Sequence, residues 1–507
     1  MSATNSGRPL TSVVIVGGGT AGWMTAASLS HRLAHLGVKV TVIESSAIGT
    51  VGVGEATVPA IRQYFTSLGL DTFEVMKATS GTFKLGIAFE GWRHEGHAFM
   101  HPFGRYGVSA RAIGFHHLFK KLREAGDTHP LDAYSLGSQM AWAGRFAEPP
   151  KPSRADFDVF DWAVHFDASA FARFLRGFSE ARGVRRIDAR ITEVRRHGET
   201  GDIASVLLDT GDLVEGELFI DCSGFRGLLI QGALGAGYRD WSHWLFCDRA
   251  VALPCAHADA GTISAYTRAR AQPFGWTWRI PLQHRVGNGY VYSSAHISDA
   301  DAEAHLRSGL EGEALASPNF VRFTPGQAKH LWLHNVVAVG LSGGFLEPLE
   351  STSITLIQLG IDKLIQFWPQ ARIDPRLAAE YNRISDQEYE RIRDFIILHY
   401  ALNGRAGQPF WDACRTMALP DTLQHKIDLF RARGVFVRYD WESFFDPSWL
   451  CIYDGLGVSP DAIDPNADGI AVTDIADLAA NIRRDIADLV AQAPTQVEAI
   501  ARLCQSQ

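Results

Sequence analysis

The chain has 507 residues, of which 46% are hydrophobic and 21% are charged, and its formal net charge is -8. This length exceeds what one hydrophobic core usually organises, so we expect two or more structural regions in an ordinary globular protein. The acidic balance and the lack of a long Lys/Arg block disfavour nucleic acids and anionic membranes as partners, because both need a concentrated basic surface, and small molecules are the expected ligands.

The sequence gives no sign of a metal site, a leader segment or a membrane span. The 19 histidines show no HExxH or similar spacing, and the calcium-like stretch at 464–469 has Ile475 where a bidentate Glu is needed, so no metal is predicted. The six cysteines are scattered without a CxxC pair, which favours reduced thiols. No apolar run approaches the roughly 20 residues that cross a bilayer. We therefore expect a soluble, cytoplasmic protein.

The first fifty residues predict a βαβ unit. A β-branched run at 12–16 precedes a glycine-rich turn at 17–22, a helix through residue 36 that Gly37 ends, and a second strand at 38–44. In the pattern Gly17-x-Gly19-x-x-Gly22, the glycines permit a tight turn, close approach of a pyrophosphate to the backbone, and close helix packing. The helix N-terminus adds amide donors and a positive dipole.

The turn and the following strand together predict a dinucleotide site. Glu44 ends the second strand, where its carboxylate can accept from ribose hydroxyls and disfavours a 2′-phosphate. The pattern alone does not separate FAD from NAD. The predicted cofactor-binding residues from this unit are Gly17, Gly19, Thr20, Ala21, Gly22 and Glu44.

Two later segments favour FAD. Residues 221–227 and 339–344 are glycine-containing turns that follow predicted strands at 218–221 and 336–340, as in flavoproteins that wrap an extended FAD. A second complete GxGxxG, which a nicotinamide would need, is not present in the sequence. Reduced flavin must therefore come from another source.

The order of these elements predicts an α/β fold with three regions. A discontinuous FAD-binding domain, Rossmann-like and of the flavin monooxygenase type, is assigned to 1–100, 186–234 and 330–372. An inserted substrate-binding region, richer in aromatics and prolines, is assigned to 101–185 and 235–329. The region 373–507 is predicted to be mostly helical, with helical patterns at 377–403 and 475–503.

Four short motifs between residues 13 and 354 carry further chemistry. They are Gly17-Gly18-Gly19-Thr20-Ala21-Gly22-Trp23, Gly52-Val53-Gly54-Glu55-Ala56-Thr57-Val58-Pro59, Gly275-Trp276-Thr277-Trp278-Arg279-Ile280-Pro281 and Pro348-Leu349-Glu350-Ser351-Thr352. Together they resemble the motifs of flavin-dependent halogenases of the tryptophan-halogenase type. In that family the WxWxIP segment is thought to keep substrate away from flavin and so to suppress monooxygenation. Its alternative interpretation is a buried aromatic strand.

The resemblance implies a two-component halogenase. Reduced FAD, supplied by a separate NAD(P)H-dependent flavin reductase, reacts with O2 and with chloride or bromide, and hypohalous acid travels through the protein to an electron-rich aromatic such as indole or an indole derivative. Lys84 matches the essential lysine of the family, which either polarises hypohalous acid or forms a haloamine. Glu350 matches the second catalytic residue, a general base. Glu350 is also placed to cap a helix predicted at 354–367.

The same resemblance supplies the remaining site residues. Ile191, Leu341 and Ile354 are added to the cofactor site, and Thr352 and Ser353 match positions whose backbone amides line the halide site. The family usually has Gly where this chain has Ser353, so a glycine-only φ at that position would put halide preference in doubt.

The predicted substrate residues are His101, Phe103 and Phe444. Phe444 falls where a substrate-stacking tryptophan is expected, and the tyrosine pair that helps to hold the amino-acid end of tryptophan is not evident, which disfavours free tryptophan. Three alternatives stay open: a flavin-dependent aromatic monooxygenase, a tryptophan halogenase proper, and a non-catalytic flavin-binding protein. A homodimer is compatible with the resemblance.

Overall fold

The protein is an α/β structure, seen in a computed structural model that describes residues 8–47, 55–109, 113–370 and 372–504. Its strands are Ser12–Val16 (β1), Lys39–Glu44 (β2), Glu55–Ala56 (β3), Thr82–Lys84 (β4), Gly86–Glu90 (β5), Ala98–Pro102 (β6), Ala163–Phe166 (β7), Arg185–Asp188 (β8), Ile191–Arg196 (β9), Ile203–Leu208 (β10), Leu213–Glu215 (β11), Leu218–Asp221 (β12), Tyr238–Asp240 (β13), Arg249–Ala252 (β14), Tyr266–Gln272 (β15), Gly275–Pro281 (β16), Val286–Tyr292 (β17), Asn319–Arg322 (β18), Gly326–Ala328 (β19), Trp332–Leu333 (β20), Val336–Ala338 (β21) and Gly344–Phe345 (β22).

The helices alternate with the strands in the first part of the chain and dominate the C-terminal part. They are Thr20–Arg32 (α1), Ala60–Ser67 (α2), Thr72–Ala78 (α3), Phe115–Glu124 (α4), Leu136–Trp142 (α5), Ala168–Glu180 (α6), Asp299–Ser308 (α7), Ser353–Gln366 (α8), Pro375–Ala401 (α9), Pro409–Thr416 (α10), Asp421–Arg433 (α11), Asp446–Gly455 (α12), Pro465–Asp468 (α13), Val472–Gln492 (α14) and Gln496–Cys504 (α15).

A mainly parallel six-stranded sheet organises the predicted nucleotide-binding part. Its strand order is β20-β21-β12-β1-β2-β8, and β1 pairs in parallel with both β2 and β12. The apolar run predicted as the first strand is buried on both faces, with Val14 at 1% and Ile15 at 0% exposure, as expected for the centre of such a sheet. The α/β class with a parallel sheet is therefore confirmed, and the strands predicted at 218–221 and 336–340 are β12 and β21 of this sheet.

The first helix is shorter than its sequence pattern predicts. Helix α1 ends at Arg32, and the rest of the predicted helix is a separate 3-10 turn, Ala34–Leu36. Gly37 follows with a φ of 65°, the left-handed conformation that glycine adopts readily after a helix. The predicted stop is confirmed, while the helix itself is interrupted one turn earlier.

A seven-stranded sheet forms the second layer of the molecule. Its order is β18-β14-β17-β16-β15-β5-β6, and β5 pairs in parallel with β15. Strands β5 and β6 thus belong to a sheet otherwise built from 249–322, although the predicted domain division groups them with residues of the nucleotide-binding part. The predicted boundary at residue 100 falls inside β6.

There are also three smaller sheets among the described residues. Their orders are β11-β10-β9, β13-β19-β22 and β3-β7-β4. The last of them carries Lys84 at the end of β4, where β4 pairs antiparallel with β7. Lys84 is fully buried at this position.

The C-terminal part is helical across its described residues, as predicted. The long pattern at 377–403 forms α9, which has 27 residues, and the pattern at 475–503 forms α14 and α15. The stretch that opens like a calcium loop is a turn into α13, in which Asp464 accepts from the backbone N–H of Asn466. Among the helices of the described residues, none combines the length and the apolar character that crossing a bilayer requires.

A buried ion pair joins α8 to α9 and contributes to the stability of the fold. Lys363 of α8 donates to Glu388 of α9, and their side chains are 7% and 5% exposed. Lys363→Met leaves the Glu388 carboxylate buried without its partner, so we expect a loss of about 3 kcal/mol or more of unfolding free energy, seen as a lower Tm. The double variant Lys363→Met/Glu388→Leu should regain most of the loss. Equal Tm values for single and double variants would contradict this.

Candidate active site

The glycines of the turn after β1 have two different roles. Two of them are required by the fold, and the third leaves open space where a dinucleotide fits. Gly17 has a φ of +112°, and a Cβ there would clash with the carbonyl oxygen of Cys222, so the fold itself requires glycine. A Cβ on Gly22 would clash with the carbonyl of Gly17, so the lack of a Cβ at this position permits α1 to pack closely on the turn. A Cβ on Gly19, in contrast, meets nothing within 4 Å. The open space at Gly19 is where a pyrophosphate would approach the first-turn amides of Thr20 and Ala21.

Glu44 lies beside this turn at the end of β2. Its carboxylate accepts from Trp23 Nε1 at 3.2 Å and from Arg186, and a Cβ on Gly18 would overlap it. The carboxylate predicted to bind ribose is therefore held next to the glycine turn by two donors of the protein.

The other predicted cofactor residues lie on separate elements. Leu341 is in the 3-10 turn Gly340–Ser342 after β21, and a Cβ on Gly340 would come within 2.9 Å of Ala21 Cβ, so this turn packs on the start of α1. Ile354 is buried in the first turn of α8. Ile191 begins β9 and packs against the small core that contains Val16. Leu341 thus lies in a turn beside α1, and Ile191 packs on the cluster that contains the end of β1, contacts that their positions in the sequence do not reveal.

A small cavity joins a predicted cofactor residue to a predicted halide residue. It is lined by Gly340, Leu341, Gly344, Phe345, Leu346, Ser353, Leu356, Ile357 and Tyr389. Leu341 and Ser353 thus share one cavity at the start of α8.

The N-terminus of α8 has the geometry of an anion site. Ser351 adopts a left-handed φ of 60°, and Thr352 is the N-cap of α8 but makes no side-chain capping bond. The buried Oγ1 of Thr352 has no hydrogen-bond partner among the described residues. Ser353 lies in the first turn of α8 and is not among the residues with positive φ, so its departure from glycine carries no left-handed strain.

Lys84 is fully buried and close to an aromatic ring. Its Nζ donates to the carbonyl of Thr57 and to Ser351 Oγ, both at 2.8 Å, and lies 5.1 Å from the centroid of the Phe103 ring. Burial lowers the pKa of Lys84 to about 7, against the opposing effect of the Glu350 charge. Lys84 is therefore a buried amine that titrates near neutral pH.

Glu350 is bonded to two imidazoles. His101 Nδ1 lies 3.1 Å from Oε1 and 3.0 Å from Oε2, and His399 Nε2 lies 2.8 Å from Oε1. Burial acts to raise the pKa of Glu350, but the charges and hydrogen bonds of the two histidines outweigh it and lower the pKa to about 2. Glu350 bonds to these histidines and not to the amides of α8, whose N-cap is Thr352, so the capping alternative is wrong.

The predicted substrate residues lie around this pair of charges. Phe103 faces Lys84, and His101 lies at the end of β6 with its ring 6.3 Å from that of Phe444. Phe444 stacks on Phe395 with ring centroids 4.0 Å apart. A cleft of about 300 Å³ opens at Phe444, and its lining includes Tyr439, Trp441, Phe445 and Trp449. The structure thus brings His101 and Phe103 close to the two charges and sets Phe444 beyond His101.

The WxWxIP segment is strand β16, in the interior of the seven-stranded sheet. Trp276 is 1% exposed and its Nε1 donates to Glu347 Oε2 at 3.0 Å, where Tyr400 also donates. Burial raises the pKa of Glu347 to about 7. Trp278 is 7% exposed and its ring lies over Gly289. The buried-strand interpretation thus describes the packing, and Trp276 also anchors the segment that leads to Glu350. Residues 52–54 of the second motif lie outside the described residues.

Sequence reasoning missed three partners of the charged pair. Thr57 and Ser351 bind Lys84, and His399 binds Glu350. Thr57 and Ser351 lie within recognised motifs but were given no role. His399 had one visible signal, because it is the one histidine within the otherwise apolar or aromatic run at 395–401.

Comparisons with known proteins match the chain to halogenases. The tryptophan halogenase family profile matches residues 12–472. The chain is similar to the tryptophan 6-halogenase of Streptomyces toxytricini, with 37% identity over 83% of this chain and 84% of that protein. In structure it resembles a flavin-dependent halogenase from Brevundimonas sp. BAL3, with a TM-score of 0.94, 49% identity and coverage of 97% of this chain and 99% of the other. A flavin-dependent halogenase from Xanthomonas campestris gives a TM-score of 0.93, 44% identity and coverage of 98% and 99%.

The two kinds of glycine in the turn should respond differently to alanine. We expect Gly17→Ala to lower the Tm of the flavin-free protein, because the left-handed φ and the Cys222 clash are intrinsic to the fold. Gly19→Ala should leave that Tm within about 1 °C, because its Cβ meets open space, yet it should weaken FAD binding at least about tenfold by blocking the pyrophosphate. Flavin fluorescence titration measures the affinity. Unchanged FAD affinity in Gly19→Ala would contradict the placement of the pyrophosphate.

Proposed function

Because the chain belongs to the tryptophan halogenase family, whose relatives are flavin-dependent halogenases, we propose that it is a two-component enzyme that halogenates indole or a related electron-rich aromatic. Its co-substrates are O2, chloride or bromide, and reduced FAD from a separate NAD(P)H-dependent flavin reductase. Because the flavin reductase uses NAD(P)H, we expect the enzyme to be cytoplasmic. The observation that carries the proposal is the fully buried Lys84 beside Phe103, within electrostatic reach of Glu350.

The flavin and halide sites are proposed at the glycine turn and at the start of α8. Bound reduced FAD, with O2, supplies the oxidising power that turns halide into hypohalous acid. Gly17, Gly19 and Gly22 shape the turn for the pyrophosphate. At α8, the Thr352 hydroxyl, which has no hydrogen-bond partner in the described parts of the chain, and the helix N-terminus provide donors for a halide ion beside Ser353. The small cavity shared by Leu341 and Ser353 supports placing flavin and halide side by side.

Lys84 is proposed to bind hypohalous acid and polarise it. An ammonium has three donor hydrogens, and Thr57 and Ser351 use two of them, which leaves one for the halogenating species. Burial lowers the pKa of Lys84 to about 7 and the Glu350 charge opposes this effect, so the ammonium that polarises hypohalous acid and the amine that a haloamine requires are both accessible near neutral pH. In a buried site such a hydrogen bond is strengthened by the low local dielectric.

Glu350 is proposed as the general base. Attack of the ring on the halogen gives a cationic ring intermediate that must lose a proton to regain aromaticity. The histidines hold the pKa of Glu350 near 2, so the carboxylate is ionised at neutral pH and can accept that proton. His101 and Phe103 lie close enough to both charges to hold the flat faces of the ring.

The substrate is proposed to lack the amino-acid head of tryptophan. Phe444 takes the place of a stacking tryptophan, and the tyrosine pair expected for the amino-acid end is not evident in the sequence. The open cleft beyond Phe444 leaves room for substituents on an indole ring.

Replacement of Lys84 tests its role directly. Lys84→Met keeps an unbranched side chain one atom shorter than lysine but removes every donor, so we expect product formation to fall at least about 100-fold, the scale of one positioned catalytic group. Oxidation of reduced FAD by O2 should continue at the normal rate, because Lys84 acts after that step. Lys77→Met, at an exposed lysine of α3, is the matched control. Normal halogenation by Lys84→Met would refute the assigned role.

A substrate and halide screen tests the function as a whole. Purified protein with a flavin reductase, NADH, FAD and either halide should convert indoles without an amino-acid head to products that carry the halogen isotope pattern in mass spectra. Free tryptophan should be converted at least about tenfold less efficiently, since binding its polar head requires matching partners in the site. Preferential conversion of free tryptophan would favour a tryptophan halogenase proper. Hydroxylated products formed without halide would favour a monooxygenase.

A further inference from the structure

His399 is a buried imidazole in α9 with an acceptor at each ring nitrogen. Its Nδ1 lies 2.7 Å from the carbonyl oxygen of Phe395, and its Nε2 lies 2.8 Å from Glu350 Oε1. The side chain has 0% exposure, so water does not compete for either contact. Both nitrogens are therefore committed to the protein.

The hydrogens that these two contacts require limit the charge states of the pair formed by His399 and Glu350. A carbonyl oxygen can only accept, so Nδ1 must carry the hydrogen that it shares with Phe395. The contact between Nε2 and Oε1 then needs a second hydrogen, supplied either by His399 or by Glu350. The pair is either an imidazolium with a carboxylate or a neutral imidazole with a protonated carboxyl group. In both cases it holds one proton more than a neutral histidine beside a carboxylate.

The groups that face Glu350 select the ionic form. They are Lys84 on β4, His101 on β6, His399 on α9 and the Cys451 thiol on α12. Lys84 favours a negative charge, and His101 Nδ1 lies within bonding distance of both carboxylate oxygens, the arrangement of a donor facing an ionised carboxylate. Burial raises the pKa of the Cys451 thiol well above its ordinary range, so it stays neutral. The low pKa of Glu350 agrees with this selection.

Aromatic rings surround His399. The rings of Phe89, Phe395 and Trp92 have centroids 5.0, 5.1 and 6.2 Å from the His399 ring. They exclude water from the imidazole. They also fix the plane of the imidazole, and through it the direction of the bond to Glu350.

We propose that His399 is a positioning residue that carries a full positive charge and keeps Glu350 ionised and correctly oriented as the base of the halogenation. This inference rests on the proposed function. When the ring intermediate breaks its C–H bond, the electron pair restores the aromatic ring and the proton passes to a Glu350 oxygen. The adjacent imidazolium then weakens the hold of Glu350 on this proton, which is released to water before the next turnover.

The first test measures the charge of Glu350 without any turnover. Infrared difference spectra of wild type minus Glu350→Gln should show a carboxylate band at pH 6. In the His399→Gln background, the same Glu350→Gln subtraction should show a protonated carboxyl band, because glutamine keeps a donor to Glu350 but cannot carry charge. A carboxylate band in both backgrounds would overturn the proposal. This result does not depend on whether the protein halogenates indoles, so the two hypotheses fail separately.

The second test uses the pH profile of halogenation. In His399→Gln the acid limb should move up to about pH 6 or above, kcat should fall at least about tenfold, and the KM for the aromatic should stay within about twofold. Tyr381→Phe is the matched control, since it removes one buried hydrogen bond of the same helix, to the carbonyl of Gly360, and should leave the acid limb in place. A lower rate with an unmoved acid limb in His399→Gln would show a purely structural role and overturn the proposal.

Discussion

The burial of charge at Lys84 is the constraint on which the rest of the site depends. A buried ammonium is stable only with hydrogen-bond partners and an opposite charge nearby. The structure supplies the carbonyl of Thr57, the hydroxyl of Ser351 and the carboxylate of Glu350. Ser351 and Glu350 belong to one short segment, so meeting the needs of Lys84 also fixes the path of the chain into α8.

The segment from Glu347 to Ser353 contacts several elements that lie far apart in the sequence. Glu347 ties it to Trp276 of the seven-stranded sheet, Glu350 ties it to β6 and α9, and Ser351 ties it to β4. The left-handed φ of Ser351 turns the chain so that α8 begins directly afterwards. A segment fastened at several points loses little further entropy when ligands bind, which is the basis of a preorganised site.

The proposed flavin site and the proposed halogenation site lie on different sheets. The glycine turn belongs to the parallel sheet, whereas Lys84 belongs to a small antiparallel sheet with β7. Helix α8 connects them, because its first turn shares a cavity with Leu341 and follows directly on the segment that binds Lys84. Separation of this kind suits a reaction in which a reactive species is made in one place and used in another.

The sequence alone determined the features that depend on neighbours along the chain. The glycine turn, the buried strand β1 and the helical C-terminal patterns follow from local spacing, and the motifs predict Lys84 and Glu350 as site residues. Tertiary structure decided the rest, because it rests on contacts between residues far apart in sequence. Only folding pairs Glu350 with His399, joins β5 to β15, and gives Ser353 a helical conformation in place of a left-handed one. A charge or a backbone angle at these positions is set by what packs against it, and local sequence does not specify that partner.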